Sequence, residues 1–382
     1  MIVKYNYLPQ EFKNTKKIFS DWKKLIKSSD FTLGFYVKKF EQEFAKFINV
    51  KYCISTNNGT DALILCLRSL GIKNGDEVIT PCNSFYATAG AIVAVGAKPV
   101  FCDVDDRYQI DIKKIQELIS KKTKVILPVH WAGASPDMKE IIKIAKKNKI
   151  IVVEDACMAI GARIDGKSPG SFGIVNAFSM HPLKSLNVMG DAGVLATNNK
   201  KIYNWIKKYR NHGMINRDNI DIWGVNNRMQ PLQAIVAIHG LKKLNNVLKK
   251  RRKNAYYLDE KLKKLNKFIS IPKRLKNYKE THALYMILCQ NRDKLKKYLE
   301  KKKIEVKIHY PKPLHLQKAS KIIDAKKSLK NAERQSRSLL TLPVHQFLKK
   351  KHLNYIVDTI SNFYLKKNEF IKNRSIKKFS KN

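Results

Sequence analysis

The sequence predicts an α/β protein built on a mainly parallel sheet, followed by a smaller lobe of different character. Between about residues 50 and 200, short apolar runs rich in β-branched residues alternate with segments of helical periodicity. This alternation is typical of a parallel sheet covered by helices on both faces. Beyond about residue 235, long lysine-rich helical stretches and a few strands take over, which predicts a second unit.

The first predicted elements lead into the sheet. Residues 1–30 mix aromatic and lysine side chains, and we expect an arm followed by a helix over residues 14–28. Apolar residues recur at helical spacing over residues 40–47, and residues 52–55 form a short β-like run.

Further strands are predicted from apolar runs separated by helical stretches such as residues 138–147. These runs are residues 76–80, 98–102, 125–129 and 150–154. The resulting domain prediction is an N-terminal arm and helix at 1–30, a large domain at 31–235, a small α+β domain at 236–365 and a basic, flexible tail at 366–382.

The charge of the chain is extreme, but its distribution does not indicate a specific nucleic-acid site. The 382 residues include 76 Lys and Arg against 31 Asp and Glu, a formal net charge of +45. The excess is nearly all lysine spread along helical faces, whereas arginine is the usual residue for bidentate contacts to bases and phosphates. A solvated surface is therefore favoured over a nucleic-acid interface, which remains the alternative.

Cysteine usage and the absence of targeting signals bear on the compartment. The six cysteines contain no CxxC pair, and most lie in apolar strands or helices, as expected of buried reduced thiols. No apolar segment follows Met1, and no apolar run is long enough to span a bilayer. We expect a cytoplasmic protein with no membrane partner.

Lys184 is the most informative residue for function. It follows Ser179 by five residues and Asp155, at the end of an apolar run, by about thirty. Pyridoxal phosphate requires an amine for its aldehyde, a carboxylate for its pyridinium nitrogen and donors for its phosphate. Lys184, Asp155 and the hydroxyl of Ser179 supply one of each.

Residues 57–61 form a turn between a strand and a helix over residues 62–70. A glycine that permits close approach, the hydroxyl of Thr60 and main-chain N–H groups at a helix start together make an anion site, so Gly59 and Thr60 are candidate phosphate ligands. An ordinary turn with Thr60 or Asp61 as the helix cap is equally compatible with the residues.

Two further candidates have structural alternatives. Asp155 ends a strand, where open α/β sheets place ligand-facing groups, but it could instead be a buried residue that caps the next turn. Phe85 could stack on a flat cofactor ring, although a core aromatic just past a strand is the commoner case.

Taken in order, the motifs of residues 58–316 make the sequence similar to the DegT/DnrJ/StrS family of pyridoxal-phosphate-dependent sugar aminotransferases. The segments that carry the resemblance are Asn58-Gly59-Thr60-Asp61-Ala62-Leu63, Gly75-Asp76-Glu77-Val78-Ile79, Pro128-Val129-His130, Val153-Glu154-Asp155-Ala156, Gly170-Ser171-Phe172-Gly173, Ser179-Met180-His181-Pro182-Leu183-Lys184, Asn226-Asn227-Arg228, Gln233-Ala234, His309-Tyr310-Pro311 and Pro313-Leu314-His315-Leu316. The match extends from about residue 30 to 360.

The resemblance implies an aspartate aminotransferase-like fold, known as fold type I, with pyridoxal 5'-phosphate bound in the large domain. Lys184 would then form the covalent link to the cofactor and Asp155 would pair with its ring nitrogen. By the same resemblance, Gly59, Thr60 and Ser179 would hold the phosphate, and Phe85 would cover the ring.

The resemblance also implies a homodimer with active sites shared between subunits. Asn226 would reach the phosphate of the cofactor bound to the other subunit. Arg228, His309, Tyr310 and His315 would lie near the substrate. That substrate would be a 3- or 4-keto nucleotide-sugar, aminated from glutamate to give an amino sugar for polysaccharide, glycan or secondary-metabolite synthesis.

The sequence departs from the family pattern at two positions. Met158 stands where the family commonly has Gln or His, and a thioether cannot donate a hydrogen bond to the cofactor or substrate. Val225 replaces the usual Tyr before Asn226. Two rival functions remain: a sugar dehydratase of the same fold, against which the presence of Lys184 argues, and a basic regulatory or nucleic-acid-binding protein that retains the fold.

Overall fold

The computed structural model describes residues 1–323 and 328–379, and in these ranges it describes side chains other than those of 322–323 and 366–379. The basic tail predicted at 366–382 lies outside the residues with described side chains, so its flexibility stays a prediction. The predicted domain boundaries likewise stay predictions.

The strands form one large sheet and two small ones. In chain order they are β1 (Tyr52–Thr56), β2 (Glu77–Pro81), β3 (Lys98–Cys102), β4 (Thr123–Ile126), β5 (Ile151–Asp155), β6 (Arg163–Ile164), β7 (Val175–Ser179), β8 (Gly193–Thr197), β9 (Ile269–Ser270), β10 (Tyr278–Lys279), β11 (Tyr285–Cys289) and β12 (Leu339–Leu342).

The large sheet has the strand order β1-β8-β7-β5-β4-β2-β3. The pairs from β7 through β3 are parallel, and β8 alone runs antiparallel to both of its neighbours, β1 and β7. Every residue of β7 and β8 is buried, as expected of strands covered on both faces. The prediction of a mainly parallel α/β sheet is confirmed.

Helices flank the sheets and supply the N-terminal arm and the long connection between the two units. They are α1 (Leu8–Glu11), α2 (Lys16–Ser28), α3 (Phe35–Ile48), α4 (Gly59–Ser69), α5 (Tyr86–Ala94), α6 (Ile112–Leu118), α7 (Met138–Lys147), α8 (Lys200–Tyr209), α9 (Pro231–Leu262), α10 (Arg292–Lys301), α11 (Lys330–Ser338) and α12 (Lys350–Phe379).

Two element boundaries differ from the sequence prediction for identifiable reasons. Helix α4 begins at Gly59 rather than at residue 62, because the side chain of Asn58 caps it by accepting a hydrogen bond from the Asp61 N–H. Strand β4 ends at Ile126, although the apolar run continues to residue 129. Pro128 lies in that remainder and has no N–H to donate to a ladder.

The second unit packs helices on an antiparallel sheet. Strand β11 pairs with β12 on one side and with β9 on the other. The core against this sheet comes from α9, α10 and α12 and includes Leu258, Tyr285, Leu295 and Ile356, each fully buried.

A buried carboxylate fixes the loop before β7 against β5. Glu154 is fully buried and accepts hydrogen bonds from the main-chain N–H groups of Gly170 at 2.8 Å, Phe172 at 2.7 Å and Gly173 at 2.7 Å. Its carboxylate also lies 2.8 Å from Nε2 of the buried His130. Because an unpaired buried charge is costly, these partners hold the end of β5 in place.

Strands β1, β2, β5 and β7 all run in the same direction, so their carboxyl ends meet at one edge of the large sheet. Parallel α/β sheets bind ligands at this edge.

Candidate active site

A cavity of about 240 Å³ lies between this edge and residues of the second unit. It brings together most of the site residues predicted from the sequence, namely Gly59, Thr60, Phe85, Asp155, Ser179, Lys184, His309 and Tyr310. Asn226, Arg228 and His315 are not among the residues that line it.

Lys184 lies on the turn between β7 and β8, and its side chain lines the cavity. Burial of the ammonium group lowers the pKa of Lys184, and the nearby Cys157 and Asp155 act in the opposite direction. A lowered pKa increases the fraction of neutral amine, which is the form that attacks a carbonyl and accepts a proton.

Asp155 is the last residue of β5 and is 4% exposed. Its Oδ2 accepts a hydrogen bond of 2.7 Å from the hydroxyl of Thr88, and its Oδ1 accepts one of 3.2 Å from the N–H of Cys157. The Thr88 hydroxyl lies 2.7 Å from that of Ser84. These contacts fix the carboxylate in the cavity wall while it remains available to a ligand.

The start of α4 and the end of β7 form a tight cradle. A Cβ added to Gly59 would lie 2.7 Å from Cβ of Ser179 and 3.1 Å from its Oγ, so only glycine permits this approach. Thr60, in the first turn of the same helix, also lines the cavity. The helix start and two hydroxyls therefore lie together at the cavity, and their role as an anion site stays a prediction.

Aromatic side chains form one wall of the cavity. Phe85 precedes α5 and is 48% exposed. Its ring centroid lies 6.1 Å from that of Tyr310, which also contacts the rings of Tyr86 at 5.5 Å and Trp131 at 5.7 Å. Such a wall suits a flat ring or the apolar face of a sugar.

The second unit contributes His309 and Tyr310. Nδ1 of His309 lies 2.9 Å from the Thr341 hydroxyl. Burial lowers the pKa of His309 to about 4, and the charges of Lys184 and Lys307 add to this effect. His309 is therefore a neutral imidazole near neutral pH. Burial also raises the pKa of Tyr310 to about 12, which keeps its hydroxyl protonated.

Asn226 and Arg228 lie together on the exposed segment before α9. Nε of Arg228 donates to Oδ1 of Asn226 at 2.7 Å, and its Nη1 donates to Oδ1 of Asn211 at 3.0 Å. Neither residue lines the cavity of its own chain, so their role toward another subunit stays a prediction. Val225 lies beside them. Its carbonyl accepts a hydrogen bond from the His212 N–H, and its N–H donates to the carbonyl of Tyr209.

His315 is buried away from the cavity lining, on a short 3-10 helix over Leu314–Leu316. Its Nε2 lies 3.3 Å from the carboxylate of Glu333, which also accepts hydrogen bonds from Ser328 and from the N–H of Leu329. His315 therefore links the segment after Tyr310 to α11. Its contact with substrate stays a prediction.

Met158 lines the cavity next to Cys157. Its main-chain oxygen accepts a hydrogen bond of 2.8 Å from Thr281, so the backbone is held although the side chain offers no donor. The departure noted in the sequence thus lies inside the site.

The sequence did not single out several of the cavity residues. Thr88 and Ser84 lie one helical turn apart next to Phe85, and this spacing could have identified them as a pair facing the sheet. Tyr7 and Arg251 line the same cavity. They carry no local signal, because each reaches it from a distant part of the chain.

The cavity residues fit pyridoxal phosphate. The donor set contains an amine of lowered pKa, a buried carboxylate and a glycine-lined helix start with hydroxyls.

Across the described residues, no group of three or more His, Cys, Asp or Glu side chains could hold a metal ion. Along the same residues, no helix combines the length and the apolar character needed to cross a membrane.

Comparison with known proteins gives a consistent result. A model of the DegT/DnrJ/EryC1/StrS aminotransferase family matches residues 13–361. The pleiotropic regulatory protein of Geobacillus stearothermophilus is 35% identical over 343 residues, which cover 89% of this chain and 92% of that protein. The UDP-N-acetyl-3-dehydro-alpha-D-glucosamine 3-aminotransferase of Acidithiobacillus ferrooxidans is 35% identical over 338 residues, covering 88% of this chain and 91% of that protein.

Among solved structures, the fold matches a crystal structure of NtdA from Bacillus subtilis with bound cofactor PMP. The TM-score is 0.88 at 28% identity, with 94% of this chain and 84% of that chain covered. The predicted fold type I architecture is confirmed by this similarity.

Proposed function

Because the chain belongs to the DegT/DnrJ/EryC1/StrS aminotransferase family, we propose that it transfers an amino group from glutamate to a 3- or 4-keto nucleotide-sugar with pyridoxal 5'-phosphate as cofactor. The observation that carries the proposal is the presence of Lys184, Asp155 and the Gly59–Ser179 cradle in one cavity. The named relative that acts on a UDP-linked keto sugar supports the substrate class.

In this proposal each predicted residue has one role toward the cofactor. Lys184 would bind it covalently, Asp155 would pair with its ring nitrogen, and Gly59, Thr60 and Ser179 would hold its phosphate. Phe85 would cover its ring. When bound, pyridoxal phosphate supplies an electron-withdrawing ring that stabilises negative charge on the carbon attached to the reacting nitrogen.

The chain's own groups then move and hold protons. Nζ of Lys184, with its lowered pKa, can accept the proton from the α-carbon of the amino donor and return it elsewhere. Asp155 would pair with the ring nitrogen, and the hydrogen bond from the Thr88 hydroxyl fixes the orientation of its carboxylate. The neutral His309 and protonated Tyr310, which line the cavity, would contact the sugar.

We further propose a homodimer in which Asn226 and Arg228 serve the active site of the partner subunit. Their position outside the cavity of their own chain supports this arrangement.

The described cysteines are all free thiols, which supports a reducing compartment such as the cytoplasm.

The two rival functions are less well supported. A sugar dehydratase of this fold is disfavoured because Lys184 is present and lies in the cavity. A purely regulatory protein would have no need of a lysine with a lowered pKa opposite a buried carboxylate. The relative named as a regulatory protein matches over nearly its whole length, and its name does not describe a reaction.

The decisive experiment supplies the purified protein and pyridoxal phosphate with glutamate and, separately, with 3-keto and 4-keto nucleotide-sugars. We expect formation of 2-oxoglutarate coupled to an amino sugar that mass spectrometry detects with one keto isomer. Release of ammonia or water without amino-sugar formation would favour the dehydratase. Absence of a bound cofactor would favour the regulatory function.

A further inference from the structure

The lysine of the site lies on a partly exposed turn, although Leu186 and Val188, which follow it, are buried in the core. The connection from Ser179 to Gly193 contains no helix or strand, and the Lys184 N–H makes a single turn bond of 2.8 Å to the carbonyl of His181. A flexible turn would blur the position of the amine, and misplacement by about 1 Å can cost about a hundredfold in rate. Contacts from outside the turn must therefore fix it.

Tyr7, on the N-terminal arm, supplies such a contact. Its hydroxyl donates to the main-chain carbonyl of Lys184 at 3.1 Å and lies 3.4 Å from that of Leu183. The side chain is 4% exposed. Burial raises the pKa of Tyr7, so the hydroxyl remains a donor throughout the physiological range.

The ring of Tyr7 also packs against other side chains. The guanidinium carbon of Arg251 lies 5.0 Å from the ring centroid, and the ring of His345 lies 5.3 Å away. Arg251 is 1% exposed, and it is itself fixed by hydrogen bonds from Nε to Gln346 at 3.0 Å and from Nη1 to the carbonyl of His282 at 3.3 Å.

The arm that carries Tyr7 is anchored on the second unit. The N–H of Val3 donates to the carbonyl of Lys303 at 2.9 Å, and the N–H of Glu305 donates to the carbonyl of Val3 at 2.9 Å. The N–H of Tyr5 donates to the Glu305 carboxylate at 2.8 Å. The arm therefore runs from the second unit directly to the turn that carries Lys184.

We propose that Tyr7 is a positioning residue for the reaction: its hydroxyl, braced by Arg251 and the anchored arm, holds the main chain of Lys184 so that the amine faces the cavity. The inference rests on the proposed role of Lys184 as the cofactor lysine. If Tyr7 only contributed packing, its loss would lower the melting temperature without altering the chemistry of Lys184.

The test compares Tyr7→Phe with Tyr355→Phe in the protein loaded with pyridoxal phosphate. Both changes remove a hydroxyl that donates to a main-chain carbonyl, and Tyr355 donates to Lys302 at 3.0 Å in the second unit. In Tyr7→Phe, we expect a shifted midpoint in the pH titration of the lysine–cofactor absorbance. We also expect a donor half-reaction slowed about tenfold, with the donor KM changed less than about threefold.

Tyr355→Phe should match the wild type in all three readouts. A Tyr7→Phe protein whose titration midpoint and half-reaction rate equal those of Tyr355→Phe would overturn the inference. If Tyr7→Phe does not fold, Arg251→Lys takes its place, because it loosens the brace and keeps the charge. An unchanged titration in that variant would equally overturn the inference.

Borohydride reduction and peptide mapping separate this inference from the proposed function. If no reducible cofactor is found on Lys184 of the wild type, the proposed function is wrong and Tyr7 has no lysine chemistry to support. If the label is on Lys184 and Tyr7→Phe still behaves as the control does, only the role of Tyr7 is wrong.

Discussion

The hydroxyl of Thr88 donates a 2.7 Å hydrogen bond to Oδ2 of Asp155, joining the first turns of α5 to the end of β5 across 67 residues of sequence. Ser84 lies 2.7 Å from the same hydroxyl. The carboxylate is thus oriented by Thr88 on a neighbouring helix, and the Thr88 hydroxyl is in turn contacted by Ser84, just before that helix.

Thr88→Val removes this bond and keeps the shape of the side chain. Because hydrogen bonds to charged groups contribute more than neutral ones, we expect kcat/KM to fall by about tenfold, or somewhat more. Steady-state kinetics measure the effect. Thr359→Val is the matched control, since that buried hydroxyl donates to the Tyr355 carbonyl on α12. Equal activity of the two variants would show that Thr88 does not orient Asp155.

Asp155→Ala should reduce kcat more severely. Loss of the carboxylate leaves the ring nitrogen of the proposed cofactor without its charge partner, and removal of one electrostatic stabiliser typically costs about a hundredfold or more. Single-turnover rates with glutamate check this expectation. A variant close to the wild-type rate would mean that another group serves the ring nitrogen.

Lys184→Ala should abolish turnover and the borohydride-reducible link to pyridoxal phosphate. Among the described residues that line the cavity, Lys184 is the single lysine. No other ammonium group of the described structure is therefore placed to replace it. Peptide mapping after reduction provides the measurement. Full turnover with the label on a different lysine would contradict the assignment.

Stability should fall in mild acid because burial lowers the pKa of several histidines, among them His282, His309 and His345. Burial lowers the pKa of His309 and His345 from 6.5 to about 4. Between pH 4 and pH 6.5 the unfolded chain binds more protons than the folded one. The free energy of unfolding therefore rises with pH across this range and decreases as the pH falls from 6.5 to 4.

Melting temperatures across this range test the prediction. His345→Gln should flatten the loss, because one of these titrations is removed. His212→Gln, at an exposed histidine, should retain the wild-type slope. The same slope in all three proteins would show that His345 does not contribute to the acid sensitivity.

The shared-site prediction is tested by complementation. An inactive Lys184→Ala chain is mixed with an inactive Asn226/Arg228 double variant under conditions that allow subunit exchange. If each site uses residues from both chains, one site of the heterodimer carries both lesions and the other is intact. Activity should then return to about half the wild-type level per heterodimer. Verified exchange with no recovery would mean that Asn226 and Arg228 serve their own chain.

The sequence was sufficient where a signal is local. Alternating apolar runs predicted the parallel sheet, and the position of Asp155 at the end of one run placed it at the ligand-binding edge. The spacing of Ser179 and Lys184 pointed to the same edge. Each of these inferences depends on residues within one strand or one turn.

The sequence was insufficient where a contact joins distant segments. Tyr7 reaches the carbonyl of Lys184 across 177 residues, and nothing near Tyr7 indicates this. His315 belongs to a motif whose residue types suggest a substrate contact, yet its partner Glu333 is known only from the fold. Residue type and spacing describe what a side chain can do, whereas tertiary packing decides which partner it meets.

The environment of Glu154 bears on how mutational scans of this protein should be interpreted. Glu154 and Asp155 are adjacent acids, and replacement of either should lower activity severely. Loss of Glu154 would leave the main-chain N–H groups of the 170–173 loop and the buried His130 without this acceptor, so its variants should fail through reduced folded protein. Asp155 variants should remain folded and fail in the reaction. A screen that scores activity alone would rank the two residues equally. A parallel measurement of soluble, folded yield would show that Glu154 supports the fold and Asp155 supports the reaction.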